Sequence, residues 1–171
     1  MGFTLVLGGA RSGKTAFALR SAQALAGPDR PLVLIATAEA LDEEMTERIA
    51  HHRLERGDRW RTVEAPLALP RAVSQCEAAE VVVVDCLTLW ISNLMHGGHN
   101  VAARSLDLVS ALAASPAEVF VVSNEVGQGI VPDNALARRF RDEVGRAHQA
   151  LAETAAAVVF VTAGLPQRLK G

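Results

Sequence analysis

The stretch "LVLGGARSGKT", Leu5 to Thr15, decides how the rest of the chain is read. An apolar run passes straight into a glycine turn that closes on lysine and threonine. Gly8, Gly13, Lys14 and Thr15 satisfy the spacing glycine, any four residues, glycine, lysine, threonine. The spacing has mechanical content. Glycines let backbone amides turn inward onto phosphate oxygens. The start of a helix adds partial positive charge. Lys14 reaches the outer phosphates, and the Thr15 hydroxyl can ligate magnesium. The required context is a strand before and a helix after. Phe3 to Leu7 reads as a short buried strand, and Lys14 to Leu25 has helical character, so a glycine turn with a chance lysine is the poorer reading.

Outward from that loop, the same alternation repeats. Leu32 to Ala36, "LVLIA", is a second apolar strand. Ala38 to Trp60, "AEALDEEMTERIAHHRLERGDRW", spaces Leu41, Met45, Ile49 and His52 at three or four residues among charges, which predicts an amphipathic helix ended or kinked at Gly57 and Asp58. "RTVEAP" reads as a short edge strand and turn. Leu69 to Ala78 predicts a helix opened by Pro70. Val81 to Val84 is a strand of four valines stopping at Asp85. Leu87 to Met95 and Leu106 to Ala114 read as helices, with "HGGHN" between them as loop or helix end. Glu118 to Ser123 is a strand ending at Asn124 and Glu125, and "GQGIVPDN" is a turn-rich loop. Ala135 to Ala156 is one long helix, and Val158 to Gly164 the last clear strand.

Continuous apolar strands separated by helices predict a mostly parallel sheet covered on both faces, an α/β chain forming a single domain over 1–171. Ligands of such sheets bind at the carboxyl ends of the strands, where Thr37, Asp85, Asn124 and Thr162 fall. Asp85 is either a metal-holding carboxylate or a cap of the next helix, since Thr88 sits three residues on.

The totals exclude several classes. Of 171 residues, half are apolar and 21% charged, with a net charge of −2. That is ordinary folded material, and the near-zero charge argues against broad capture of nucleic acid. Cys76 and Cys86 are too few for a disulfide scaffold and lack metal spacing, which fits a reduced, cytoplasmic setting. No run of 18 strongly apolar residues is present, so no membrane span is expected, and the N-terminus has no basic region before its apolar run.

His51 and His52 are adjacent, so they cannot share one helix face as a metal pair. One of them could attack phosphorus, with neighbouring arginines holding phosphate, or both could be solvated helix histidines. Glu125 could contact metal or sugar. Arg138, Arg139 and Arg141 face either phosphate or solvent.

Four stretches together carry a family likeness: "GGARSGKT", "IATAEALDEEMTERIAHHRLERGDRW", "DCLTLWISNL" and "VSNEVGQGIVPDNALARRFRDEVGRAHQ". The chain resembles, nearly end to end, the bifunctional adenosylcobinamide kinase / adenosylcobinamide-phosphate guanylyltransferase family of cobalamin biosynthesis. The resemblance implies a RecA-type phosphate-loop fold and two reactions. A nucleoside triphosphate phosphorylates the aminopropanol hydroxyl of adenosylcobinamide. GTP then gives its guanylyl group to a histidine, which passes it to adenosylcobinamide phosphate. The family's carrier motif, arginine, isoleucine, any residue, histidine, matches Arg48, Ile49, Ala50 and His51, which makes His51 the expected carrier. Lys14 is the second expected catalytic group. The expected nucleotide contacts are Gly8, Gly9, Ala10, Arg11, Ser12, Gly13, Lys14, Thr15, Thr37, Arg53, Glu55, Glu64 and Asp85, with Mg2+ on Thr15 and Asp85 and ATP and GTP as substrates. A homo-oligomer is also implied. The rivals are a small-molecule kinase without a covalent histidine and a nucleotide-dependent switch.

Overall fold

A computed structural model describes residues 2–38 and 59–171. In chain order these form β1 (Thr4–Gly8), α1 (Lys14–Ala26), β2 (Leu32–Ala36), β3 (Trp60–Glu64), α2 (Leu69–Ser74), β4 (Val81–Asp85), α3 (Leu87–His96), α4 (Val101–Ala114), β5 (Glu118–Asn124), α5 (Ala135–Thr154), β6 (Ala157–Thr162) and β7 (Leu165–Lys170). The strands make one seven-stranded sheet in the order β3-β2-β4-β5-β1-β6-β7. Every neighbouring pair is parallel except β6 with β7.

Side-chain alternation along each strand divides the core in two. Leu5, Leu7, Val33, Ile35, Val82, Val84, Val119 and Val121 point to one face, where α2, α3, α4 and α5 cover them with Leu69, Trp90, Ile91, Leu108, Leu112, Val144 and Leu151. Val6, Leu32, Leu34, Val81, Val83, Val122 and Val161 point to the other, against Ala18, Ala22 and Ala26 of α1. Those alanines recur every four residues, so α1 presents a stripe without long side chains and its backbone can approach the strands closely. Burial on both faces is why the strands read as unbroken apolar runs rather than alternating ones.

Several boundaries differ from the sequence expectation, each for a tertiary reason. The helix expected over 69–78 stops at Ser74. The next residues turn instead, because the Glu80 carboxylate accepts from Glu77 N and the Arg30 guanidinium donates to the carbonyls of Ala78, Ala79 and Glu80. The helix expected from Leu106 begins at Val101, with the Asn100 side chain accepting from Ala103 N as an N-cap. Trp60 opens β3 rather than closing the segment before it. The long helix ends at Thr154, where Lys170 Nζ donates to the carbonyls of Ala152 and Glu153. β7 was not expected at all. "LPQRLK" has no apolar run and is fully exposed. It pairs because Ala163 (φ 51°) and Gly164 (φ 79°) form a two-residue turn that folds it back onto β6. The amphipathic helix expected over 38–60 lies almost wholly outside the described residues.

Among the described residues no helix is long and apolar enough to cross a membrane.

Candidate active site

The phosphate loop runs from the end of β1 to the first turn of α1 and is pinned on two sides. Gly8 O accepts from Glu125 N at 2.9 Å, which ties the loop's base to the end of β5. Ser12 O accepts from Gly164 N at 2.8 Å, which ties its far arm to the β6–β7 turn. A Cβ on Gly8 would lie 2.5 Å from both Ser12 Oγ and Val161 O, so only glycine fits the base. Gly13 adopts φ 91° as the N-cap of α1, and its Cβ position lies 3.1 Å from Gly164 Cα. Arg11 also takes a positive φ, 53°. Successive left-handed and right-handed residues of this kind turn backbone N–H groups toward one concavity, where phosphate oxygens fit. Inside the loop Lys14 is buried, and its Nζ donates to Gly9 O at 3.0 Å. The Ser12 hydroxyl is buried with no hydrogen-bond partner among the described residues, a donor available to an anionic ligand.

Beside the loop opens a cleft of about 600 Å³, lined by Gly9 to Ser12, by Glu125, Val126, Gln128 and Gly129, and by Phe160 to Ala163. The Glu125 carboxylate faces its own loop, accepting from Gly127 N at 2.7 Å and Gln128 N at 3.2 Å. It therefore shapes the cleft wall. Arg138 likewise holds that loop, donating to the carbonyls of Pro132 and Asp133.

Register places the remaining candidates along the carboxyl edge. Ala36 pairs with Glu64 on one side and Asp85 on the other, so Thr37, Glu64 and Asp85 stand abreast at the ends of β2, β3 and β4. Asp85 is separated from the phosphate loop by β5. The two are still close electrostatically: burial and Asp85 push the Cys86 thiol up, while the Lys14 ammonium pulls it down. Cys86, one residue past Asp85, occupies the N-cap position of α3. Thr37 is fully buried, and its Oγ1 donates to Cys86 O at 2.7 Å and accepts from Cys86 N at 2.9 Å. Glu64 is exposed at the outer strand. Thr15 and Asp85 are half-buried. A hydroxyl and a carboxylate are hard oxygen donors, and Mg2+ takes one or two protein ligands with water and phosphate completing its shell, so these residues fit that ion. His51, Arg53 and Glu55 lie outside the described residues.

Two features of this edge escaped the sequence reading. Thr88 Oγ1 accepts from both N and Nδ2 of Asn124 at 3.3 Å, coupling α3 to the end of β5. His148 Nε2 lies 2.7 Å from Ser123 Oγ beneath the loop, and burial holds the imidazole well below its ordinary range, down from 6.5 to about 4, against an upward pull from Glu125. The buried stripe Val144, His148, Leu151 along α5 is the signal that could have found the second pair.

A phosphate loop between the first strand and helix of a parallel sheet, with a carboxylate one strand removed, defines a P-loop NTPase fold. The flagellar accessory protein FlaH of Methanocaldococcus jannaschii shares it, with a TM-score of 0.54 at 13% identity over 99% of this chain and 78% of that one. The family described as cobinamide kinase / cobinamide phosphate guanyltransferase (CobU) matches residues 4–169. The bifunctional adenosylcobalamin biosynthesis protein CobP of Pseudomonas aeruginosa is 46% identical over 170 residues, covering 98% of this chain and 96% of the relative. CobU of Escherichia coli, which bears the same description, is 40% identical over 182 residues, covering 97% and 98%. The chain belongs to the cobinamide kinase / cobinamide phosphate guanyltransferase family and is an enzyme of that bifunctional type.

Proposed function

We propose that the chain acts as one domain that first phosphorylates the aminopropanol hydroxyl of adenosylcobinamide and then guanylylates the product by way of His51. The observation that carries this reading is the pinned phosphate loop with its buried Lys14, in a chain of this family. In the kinase step the loop amides and Lys14 hold the outer phosphates of a nucleoside triphosphate, and the acceptor hydroxyl displaces the nucleoside diphosphate. In the second reaction a neutral His51 nitrogen attacks the α-phosphorus of GTP. The P–N bond forms as the bond to the β-phosphate oxygen breaks, and pyrophosphate leaves carrying the charge that Lys14, the loop amides and the Ser12 hydroxyl stabilise. A phosphate oxygen of adenosylcobinamide phosphate then attacks the same phosphorus, the P–N bond breaks, and adenosylcobinamide-GDP departs with His51 restored. Thr15 and Asp85 would hold Mg2+, which neutralises phosphate charge where it is bound. Thr37, Arg53, Glu55 and Glu64 belong to the nucleotide-binding edge in this reading, and a cytoplasmic homo-oligomer is its setting. Support for His51 comes from the match of Arg48, Ile49, Ala50 and His51 to the family's carrier motif.

The test is incubation with α-labelled GTP and magnesium, followed by denaturation and intact mass, on the wild type, His51→Ala and His52→Ala. An acid-labile, alkali-stable adduct of one guanylyl group, absent only from His51→Ala, is expected. Loss in His52→Ala instead moves the carrier by one residue. Bound GTP with no adduct on any of the three leaves a plain kinase or a switch.

A further inference from the structure

Helix α5 carries Arg138, Arg139, Arg141 and Arg146, and their surroundings differ. Arg138 is committed to the carbonyls of Pro132 and Asp133. Arg146 pairs with Glu143 one turn earlier. Arg139 is exposed. Arg141 alone among these four has a buried guanidinium nitrogen, Nη1, that meets no hydrogen-bond partner among the described residues. A buried cationic N–H left unmet is unfavourable, and native proteins retain such groups where a ligand completes them.

The helical phase says where Arg141 stands on the helix. Arg141, Val144, His148 and Leu151 recur at three- and four-residue spacing and form one stripe of α5, the stripe that packs on the sheet. His148 is level with Ser123, the residue before the last of β5. Because α5 runs back along the strands, Arg141 lies two turns, about 10 Å, beyond that point toward the carboxyl edge. It also lies on the sheet face covered by α2 to α5, whereas α1, whose N-terminus receives the phosphate loop, covers the opposite face. Lys14 and Arg141 thus stand toward the same edge on helices that cover opposite faces.

We propose that Arg141 binds the phosphate monoester of the acceptor in the guanylyl-transfer reaction. The inference rests on the function proposed above. The nucleotide's phosphates belong to the loop on the α1 side. The only other anion that the two reactions require is the phosphate that the first reaction installs and the second one uses as a nucleophile. A guanidinium holds such a group through two parallel N–H donors and leaves its third oxygen to attack. It also separates the two acceptors, since the unphosphorylated alcohol offers no anion to it.

Equilibrium binding of cobinamide and of cobinamide phosphate to the wild type, Arg141→Met and Arg141→Lys tests this. Methionine keeps an apolar stem of similar reach and removes every donor, so folding is preserved and thermal stability does not fall. The expected result is that Arg141→Met binds the phosphate ester roughly 10- to 100-fold more weakly, the range for a lost charged hydrogen bond, with unchanged affinity for the alcohol and for GTP. Arg141→Lys falls between. Equal weakening toward all three ligands, or unchanged affinity for the ester in a wild type that binds both corrinoids, overturns the proposal while the function stands. A wild type that binds neither corrinoid removes the function and the proposal with it.

Discussion

Burial distinguishes His148 from the exposed His96 and His99 and gives it a titration of its own. Folding depresses its pKa from 6.5 to about 4, chiefly by desolvation, with Glu125 opposing. Between those values the unfolded chain takes up a proton that the folded chain refuses. Stability conferred by the neutral ring is therefore whole above pH 6.5 and is lost as the pH falls toward 4, a change of about 3 kcal/mol. Glutamine places an amide nitrogen where Nε2 lies and does not titrate. Urea midpoints at pH 7.5, 5.5 and 4.5 are expected to fall more steeply for the wild type than for His148→Gln. Parallel slopes would show that the ring does not govern acid stability. At this scale the phosphate loop was legible in the sequence, because its residues are consecutive and their spacing is a local property. The His148–Ser123 contact joins residues 25 apart and was not.

Among the elements, α3 does the most to organise the binding edge. Its Asn93 amide donates to Thr37 O at 2.8 Å and Pro66 O at 3.1 Å, and its Trp90 indole donates to Leu67 O at 3.1 Å. These carbonyls lie just beyond β2 and β3, so one helix gathers the ends of two strands. Thr37 completes the arrangement by clasping both backbone groups of Cys86 at the start of α3. Valine has the same shape without the hydroxyl. Thr37→Val is expected to leave the Cys86 N–H unmet in a buried site, while the Cys86 carbonyl keeps its bond from Trp90 N, and to destabilise by about 1–3 kcal/mol. A denaturant midpoint that falls with an unchanged slope checks it, and an unmoved midpoint refutes the clasp. Element types were readable from apolar period, but ends were not. The stop of α2 at Ser74 depends on Arg30, more than 40 residues away, and on the turn at Glu80. The start of α4 at Val101 had a readable signal in Asn100, a cap residue before a helical run.

For the whole molecule, the sheet's two edges are unlike. β3 ends it on one side with a parallel strand, and β7 on the other with an antiparallel one. β7 buries no side chain, yet it covers the backbone edge of β6, its turn donates to the phosphate loop through Gly164, and its Lys170 caps α5. Removing residues 165–171 is expected to lower the thermal midpoint by several degrees, to weaken nucleotide binding and to promote association through the bared β6 edge. Calorimetry and light scattering against the full chain measure this; an unchanged midpoint would make β7 dispensable.

The sequence by itself determined the α/β class, the parallel sheet, the phosphate loop and the family, since apolar runs, helical period and short consecutive motifs are set by neighbours along the chain. Tertiary structure decided what neighbours in space set. It placed Asp85 one strand away from the loop and Thr37 in the α3 clasp. It paired an exposed polar segment as β7 by offering it an open edge. It also set Arg141 apart from Arg138 and Arg139, because the packing of α5 onto the sheet buries one Arg141 guanidinium nitrogen that has no hydrogen-bond partner among the described residues.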